Sequence, residues 1–208
     1  MLLVQRVGQN GHRDLLTVAI APTESQASWG QLFSGLIDRG LTGVQVVTSD
    51  EHKGLVQAIR RYFDQAAWQY CQVHFQRTVL AEVPKTHRTQ VASQLRGLFQ
   101  AVDRPQADRL FDTLVQSYEA TYPSLVNKLE THREALLACL AFPLSHRPRL
   151  RTTNAVERLN REIARRSDVV QIFPNEQACL PLVAALAMEW AEEWTTGKRY
   201  LDLELLNQ

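Results

Sequence analysis

Asp50, Glu157 and the pair Cys71 and His74 are the residues whose types and positions could support chemistry in this chain. Asp50 follows Val44, Val46 and Val47, an apolar run that predicts a short buried strand. Leu55, Ile59 and Phe63 come next at helical spacing, so Asp50 stands where a strand stops and a helix begins. α/β folds place ligands at such a sheet edge, and an aspartate there serves equally well as a helix N-cap. Glu157 lies in RPRLRTTNAVERLNREIARR, residues 147–166, where seven arginines face two glutamates, a local excess of five positive charges. Thr153 or Asn154 offers an N-cap, and Ala155, Val156, Leu159 and Ile163 share one helical face. Glu157 falls nearly opposite, flanked by Asn154, Asn160 and Arg161, a carboxylate inside a ring of phosphate-binding groups. A solvated helix with an ordinary Glu157–Arg161 pair, worth a few tenths of a kcal/mol, has the same pattern. Cys71-x-x-His74 supplies only two of the four ligands that zinc normally takes, and no other cysteine or histidine spacing completes the set.

The elements that must position these residues are legible along the chain. Its 208 residues suffice for a real core. The 45% apolar share is ordinary for a globular protein, and no apolar run reaches membrane-spanning length. The first residues lack the pattern of a secretion signal. Three cysteines, at 71, 139 and 179, form no disulfide framework and point to a reducing cytoplasm. A net charge of +1 says nothing about nucleic acid; the distribution over 147–166 says more. Leu2 to Val7 and Leu15 to Ala21, separated by a stretch containing Asn10-Gly11, predict a β-hairpin. A helix follows from about Thr23–Ser25, with apolar Trp29, Leu32, Phe33, Leu36 and Ile37, and Gly40 fits its C-terminal cap. The first fifty residues therefore read β-β-α-β. Trp68 to Cys71 predicts another strand, and a helix runs from Phe75 to the break at Pro84.

Three amphipathic patterns come next: Val91 to Val102, Leu110 to Tyr118 and Leu125 to Leu140, punctuated by Arg104-Pro105 and Tyr122-Pro123. Their apolar stripes are read as core, with no chemistry assigned. Near the C-terminus, Pro174 fits the first turn of a last helix that packs Val183, Leu186, Trp190 and Trp194, with Pro181 kinking or dividing it.

Taken together, SDEHKGL at 49–55, the Cys71/His74 pair, TTNAVERLNREIARR at 152–166 and IFPNE at 172–176 resemble the bacterial mutator-type insertion-sequence transposases, from about Val7 to Leu201. The resemblance implies an α/β, ribonuclease-H-like mixed sheet whose catalytic set is two Asp and one Glu. Asp50 matches the second Asp and Glu157 the final Glu; Cys71, His74 and Arg77 belong to the family signature. It further implies metal-dependent DNA cleavage and strand transfer with two Mg2+ or Mn2+ ions about 3.5–4 Å apart. The carboxylates of Asp50 and Glu157 would then lie roughly 4–8 Å from each other. Asn154, Arg158, Asn160, Arg161, Arg165 and Arg166 would bind DNA. On this reading residues 1–84 form the first part of the catalytic core, 85–146 a helical insertion and 147–208 the part carrying the Glu helix.

Two departures from the family pattern qualify the match. The strand carrying the first Asp has no counterpart, so the chain reads as a C-terminal half, its sheet lacking the first strand and the chain inactive as it stands. Asp14, the one earlier acidic candidate, fits a solvated residue at a strand start. Ala164 replaces the first of three basic residues that close the family motif, removing a cation from the place where a DNA phosphate docks. The implied partners are transposon-end and target DNA, with homo-oligomers or co-assembly with an intact transposase, and no membrane. Two alternatives stay open: a non-catalytic DNA-binding or transposase-binding fragment, and an unrelated α/β hydrolase using Ser49 or Cys71 as nucleophile.

Overall fold

A computed structural model describes residues 1–19, 23–168 and 176–206 of the chain. The chain divides into two compact units: Met1–Gly43 with His52–Tyr62 and Asn154–Gln208, and Val44–Glu51 with Phe63–Thr153.

In the first unit, β1 (Leu2–Val7) and β2 (Arg13–Ala19) form the expected antiparallel hairpin, pairing Leu2 with Ala19 and Val7 with Arg13. The second strand starts two residues before Leu15 because Arg13 and Asp14 still find partners across the turn. Asp14 pairs with Arg6, 3.1 Å away, and is partly exposed at the strand start. Gly11 in the turn has φ +77°, and a Cβ there would sit 2.2 Å from the carbonyl oxygen of Leu201, so the C-terminal segment can dock only on a glycine. Helix α1 (Gln26–Asp38) starts on Ser25, whose hydroxyl accepts from the Ser28 N–H. It ends in a Schellman arrangement: Gly40 N–H donates to Ile37 and Leu41 N–H to Leu36, with Gly40 at φ +95°. Trp29, Phe33 and Leu36 are buried while Ile37 turns outward. Helix α2 (Lys53–Tyr62) packs on α1 and buries Val56, Ala58 and Ile59. Phe63 lies past its end.

In the second unit, β3 (Val46–Ser49) and β4 (Ala67–Tyr70) pair in parallel, from Val46–Ala67 to Ser49–Tyr70. Parallel neighbours need a crossover between them, which the intervening residues 50–66 supply in sequence. Strand β3 is only partly buried at its three first residues, contrary to the expectation of a fully buried one. Helix α3 (Gln72–Glu82) is followed by α4 (Lys85–Phe99), α5 (Arg104–Tyr118) and α6 (Pro123–Leu137). All three predicted amphipathic helices are present, with Pro105 in the first turn of α5 and Pro123 opening α6, where proline lacks no needed donor. Leu95, Phe111, Leu129 and Leu136 are fully enclosed in one core with Tyr70, Phe75 and Val79. Val102, assigned to the first stripe, falls beyond α4 and is exposed. A 3₁₀ turn over Ala138–Ala141 and the short helix α7 (Arg147–Leu150) complete this unit.

The first unit resumes with α8 (Asn154–Asp168) and α9 (Glu176–Thr196). Leu159 and Ile163 of α8 meet Val183, Leu186 and Trp194 of α9 and Leu3 of β1 in a second core. Pro181 neither ends nor divides α9: it lies one turn inside the helix, so a single backbone hydrogen bond is forfeited while the apolar face stays packed. Pro174 lies outside the described residues. The chain is thus a mixed α/β protein whose described strands form two two-stranded sheets.

Candidate functional site

Asp50 is half-buried at the carboxyl end of β3. Helix α2 begins at Lys53, three residues after Asp50 in the chain. Both flanking residues are clamped. The Ser49 hydroxyl donates to the Asp50 carbonyl at 2.7 Å and accepts from the Trp68 indole at 2.9 Å. The Glu51 carboxylate accepts from the Tyr70 hydroxyl at 3.1 Å and meets His132 Nε2 at 2.8 Å. Trp68 and Tyr70, which face Val47 and Ser49 in the ladder, have near-parallel rings 5.7 Å apart, and His132 stands edge-on to both. Burial, reinforced by the Glu51 charge, pushes the Tyr70 phenol above its ordinary value, so it stays protonated and donating.

His132 belongs to α6, within the helical segment whose apolar stripe is read as core, and is not singled out in the sequence. Glu51 is adjacent to Asp50 in SDEHKGL, a signal that could have drawn attention to it. Nothing local marks His132, because only the packing of α6 on β4 brings it there.

Cys71 is fully buried at the residue preceding α3, and its Sγ accepts from both the N–H and the hydroxyl of Thr153, at 3.4 and 3.3 Å. His74 Nδ1 lies 3.5 Å from the same hydroxyl. Two further bonds hold the segment that leads there: Thr48 donates to Leu150 at 2.5 Å, and the Gln72 N–H donates to Arg151 at 2.9 Å. The signature pair therefore grips the residue immediately before Asn154, the first residue of α8. Arg77, two turns into α3, is exposed. Ser49 and Cys71 are both enclosed and occupied by hydrogen bonds, which removes the accessible nucleophile that a hydrolase needs.

In the first unit, α8 buries Leu159 and Ile163 and carries Glu157 half-buried away from them. Asn154, Arg158, Arg161 and Arg165 recur at positions i, i+4, i+7 and i+11 and form one exposed stripe. Arg158 and Arg161 have no carboxylate partner among the described residues. Arg165 and Arg166 both bind Glu162, at 2.8 Å each, and Arg166 also reaches Glu189 at 3.1 Å. Hydrogen bonds from Arg165 and then Arg166 hold the Glu162 carboxyl down to about 2. Asn160 Oδ1 is shielded from solvent and lacks a partner among the described residues. Ala164 is exposed, leaving a gap in the positive surface. Asp50 and Glu157 belong to different units. Each offers hard oxygen donors, the chemistry that Mg2+ and Mn2+ require.

Comparison with known proteins gives one consistent answer. The family model described as "Transposase, Mutator family" matches residues 2–197. The transposase for insertion sequence element ISRM5 of Rhizobium meliloti (strain 1021) is 38% identical over 208 residues, covering 100% of this chain and 52% of that relative. The transposase for IS406 of Burkholderia multivorans is 39% identical over 203 residues, 97% of this chain and 52% of the relative. That for IS256 in transposon Tn4001 of Staphylococcus aureus is 33% identical over 201 residues, 95% and 51% respectively. The chain spans about half the length of the curated relatives it matches. Among the described residues no helix is long and apolar enough to cross a membrane.

Proposed function

The chain belongs to the mutator family of transposases, and from that premise we propose that it serves the DNA cleavage and strand transfer of insertion-sequence transposition. Asp50 and Glu157 act as the metal-binding carboxylates, taking Mg2+ or Mn2+. When bound, such ions activate the attacking oxygen and stabilise the leaving one. The protein's own contribution is positional. Ser49, Glu51, Trp68, Tyr70 and His132 fix the backbone on both sides of Asp50, so its carboxylate meets a ligand without reorganising. The Cys71 and His74 pair holds Thr153. Arg158, Arg161 and Arg165, with Asn154, bind phosphates; Arg166 and Asn160 are engaged or shielded and contribute less.

Ordering of the elements, β-β-α-β-α-β and then helices before the Glu helix, suits a ribonuclease-H-like core with residues 85–146 as its insertion. DNA at the element's ends and at the target, and further transposase copies, are the partners this role requires.

One observation carries the reading: the family match spans both motif regions, that of Asp50 and that of the arginine-bearing Glu157 helix. The test is a nicking and joining assay on DNA bearing the element's own ends, with Mg2+ or Mn2+, comparing residues 1–208 with Asp50→Ala and Glu157→Ala. Metal-dependent nicking lost in both variants supports catalysis. Salt-sensitive DNA binding with no nicking, the outcome a missing first Asp would give, makes residues 1–208 a binding module. Nicking that survives either substitution refutes the site.

A further inference from the structure

The arginine stripe of α8 does not face solvent alone. It forms one wall of an open groove of about 540 Å³, lined by Arg158, Arg161, Glu162 and Arg165 of α8 and by Trp190 of α9. A second hollow of about 290 Å³ shares Arg158 and Trp190 with it and continues past Asn154 towards Arg13 and Trp194.

Trp190 is half-buried and lines the groove with Arg158, Arg161 and Arg165. Its orientation is fixed from behind: buried Trp194 meets it edge-on, with centroids 5.7 Å apart and planes at 88°. Trp194 is itself braced by the Arg13 guanidinium, 4.3 Å above its ring, and Arg13 also stacks 4.6 Å from Tyr200. The Arg158 guanidinium lies over the Trp190 ring, 5.6 Å from its centroid, so a base on that face would stack beside or displace it. The groove thus joins a braced aromatic surface to cations that lack a carboxylate partner among the described residues, Arg158 and Arg161. Among the described residues lining the first groove, Glu162 is the one acidic group and is already neutralised by Arg165 and Arg166; Glu193 lines the second hollow.

A phosphate needs the cations but has no use for the ring. Bases stacked inside a duplex hide the faces that the ring would contact, whereas an unpaired nucleotide offers both a π-face and a phosphate. We propose that this groove binds an unpaired nucleotide, its base against Trp190 and its phosphates on Arg158 and Arg161. The proposal rests on the DNA-binding reading above and deepens it: the stripe binds phosphates generally, and Trp190 selects DNA whose strands are locally separated.

The test titrates residues 1–208 with a blunt duplex and with the same duplex bearing a single-stranded tail that contains 2-aminopurine, following anisotropy and 2-aminopurine emission. The wild type should bind the tailed duplex more tightly and quench the probe. Trp190→Ala should lose roughly tenfold in affinity for the tailed DNA, with blunt-duplex affinity unchanged and quenching lost. Trp190→Phe, which keeps an aromatic face, should retain most of the preference, while Trp190→Leu, which fills space without one, should not; this pair serves if the alanine variant fails to fold. Failure of the wild type to bind either DNA would overturn the DNA-binding reading and this proposal with it. Equal affinity for the two DNAs, an equal loss on both, or a leucine variant matching phenylalanine would overturn the stacking alone.

Discussion

The surroundings of Asp50 and the exposed face of α8 are built on opposite principles. Around Asp50, residues from β3, β4 and α6 converge, and the bonds join positions 19 to 81 residues apart in the chain, Trp68 to Ser49 and His132 to Glu51 among them. Gln69 extends this web inward. It is fully buried, donates to the Tyr70 and Leu136 carbonyls, and accepts from the Cys139 N–H at 2.7 Å. On α8, by contrast, the arginines line up through helical periodicity alone, and the ion pairs of Glu162 span only three and four residues. A carboxylate that must hold a fixed position needs long-range support, because only packing restrains a strand end. A surface that attracts a polyanion needs only charge on one face, which a helix supplies by itself. The first should therefore be sensitive to core substitutions, and the second should tolerate change without loss of fold.

The largest expected effect tests the first half of that contrast. Gln69→Ala removes a partner from the Tyr70 carbonyl and the Cys139 N–H, leaves the Leu136 carbonyl with Gln72 alone, and should cost about 2 kcal/mol in urea unfolding. A loss within the error of the wild type would show that the web does not support β4. His132→Ala removes the Glu51 contact and an edge-on ring from Trp68, Tyr70 and Phe75, and should cost about 1–2 kcal/mol. His132→Gln should recover part of this if the hydrogen bond matters as well as the packing.

Arg161→Ala addresses the second half. It should leave the melting temperature unchanged and reduce the salt dependence of DNA binding by about one phosphate contact, a change of about 0.9 in slope. A clear loss of stability would mean that α8 depends on its arginines for more than charge.

The smallest effect concerns Glu162. Its carboxyl is depressed, so the contribution of its ion pairs is present above the ordinary value of 4.5 and disappears as pH falls through about 2. Titration of its carboxyl carbon by NMR should show a midpoint near 2, and a midpoint near 4.5 would mean that the two arginines are not held. Glu162→Gln should release Arg165 and Arg166 and tighten DNA binding slightly, most visibly at low salt.

The sequence by itself determined the family, the hairpin at its Asn10-Gly11 turn, the strand ending at Asp50, the three helices between residues 85 and 137, and the arginine face of α8. Each of these is carried by local pattern: turn chemistry, alternation, helical spacing or a contiguous motif. The tertiary structure alone decided the rest. It brought His132 from a helix that reads as pure core to Glu51, gave Cys71 and His74 a partner in Thr153, and set Trp190 beside arginines some thirty residues earlier in the chain. It also carried α9 unbroken through Pro181, where packing of Val183, Leu186 and Trp194 outweighs one missing hydrogen bond. These outcomes turn on which elements lie side by side, and periodicity reports the face an element buries without naming the neighbour that covers it.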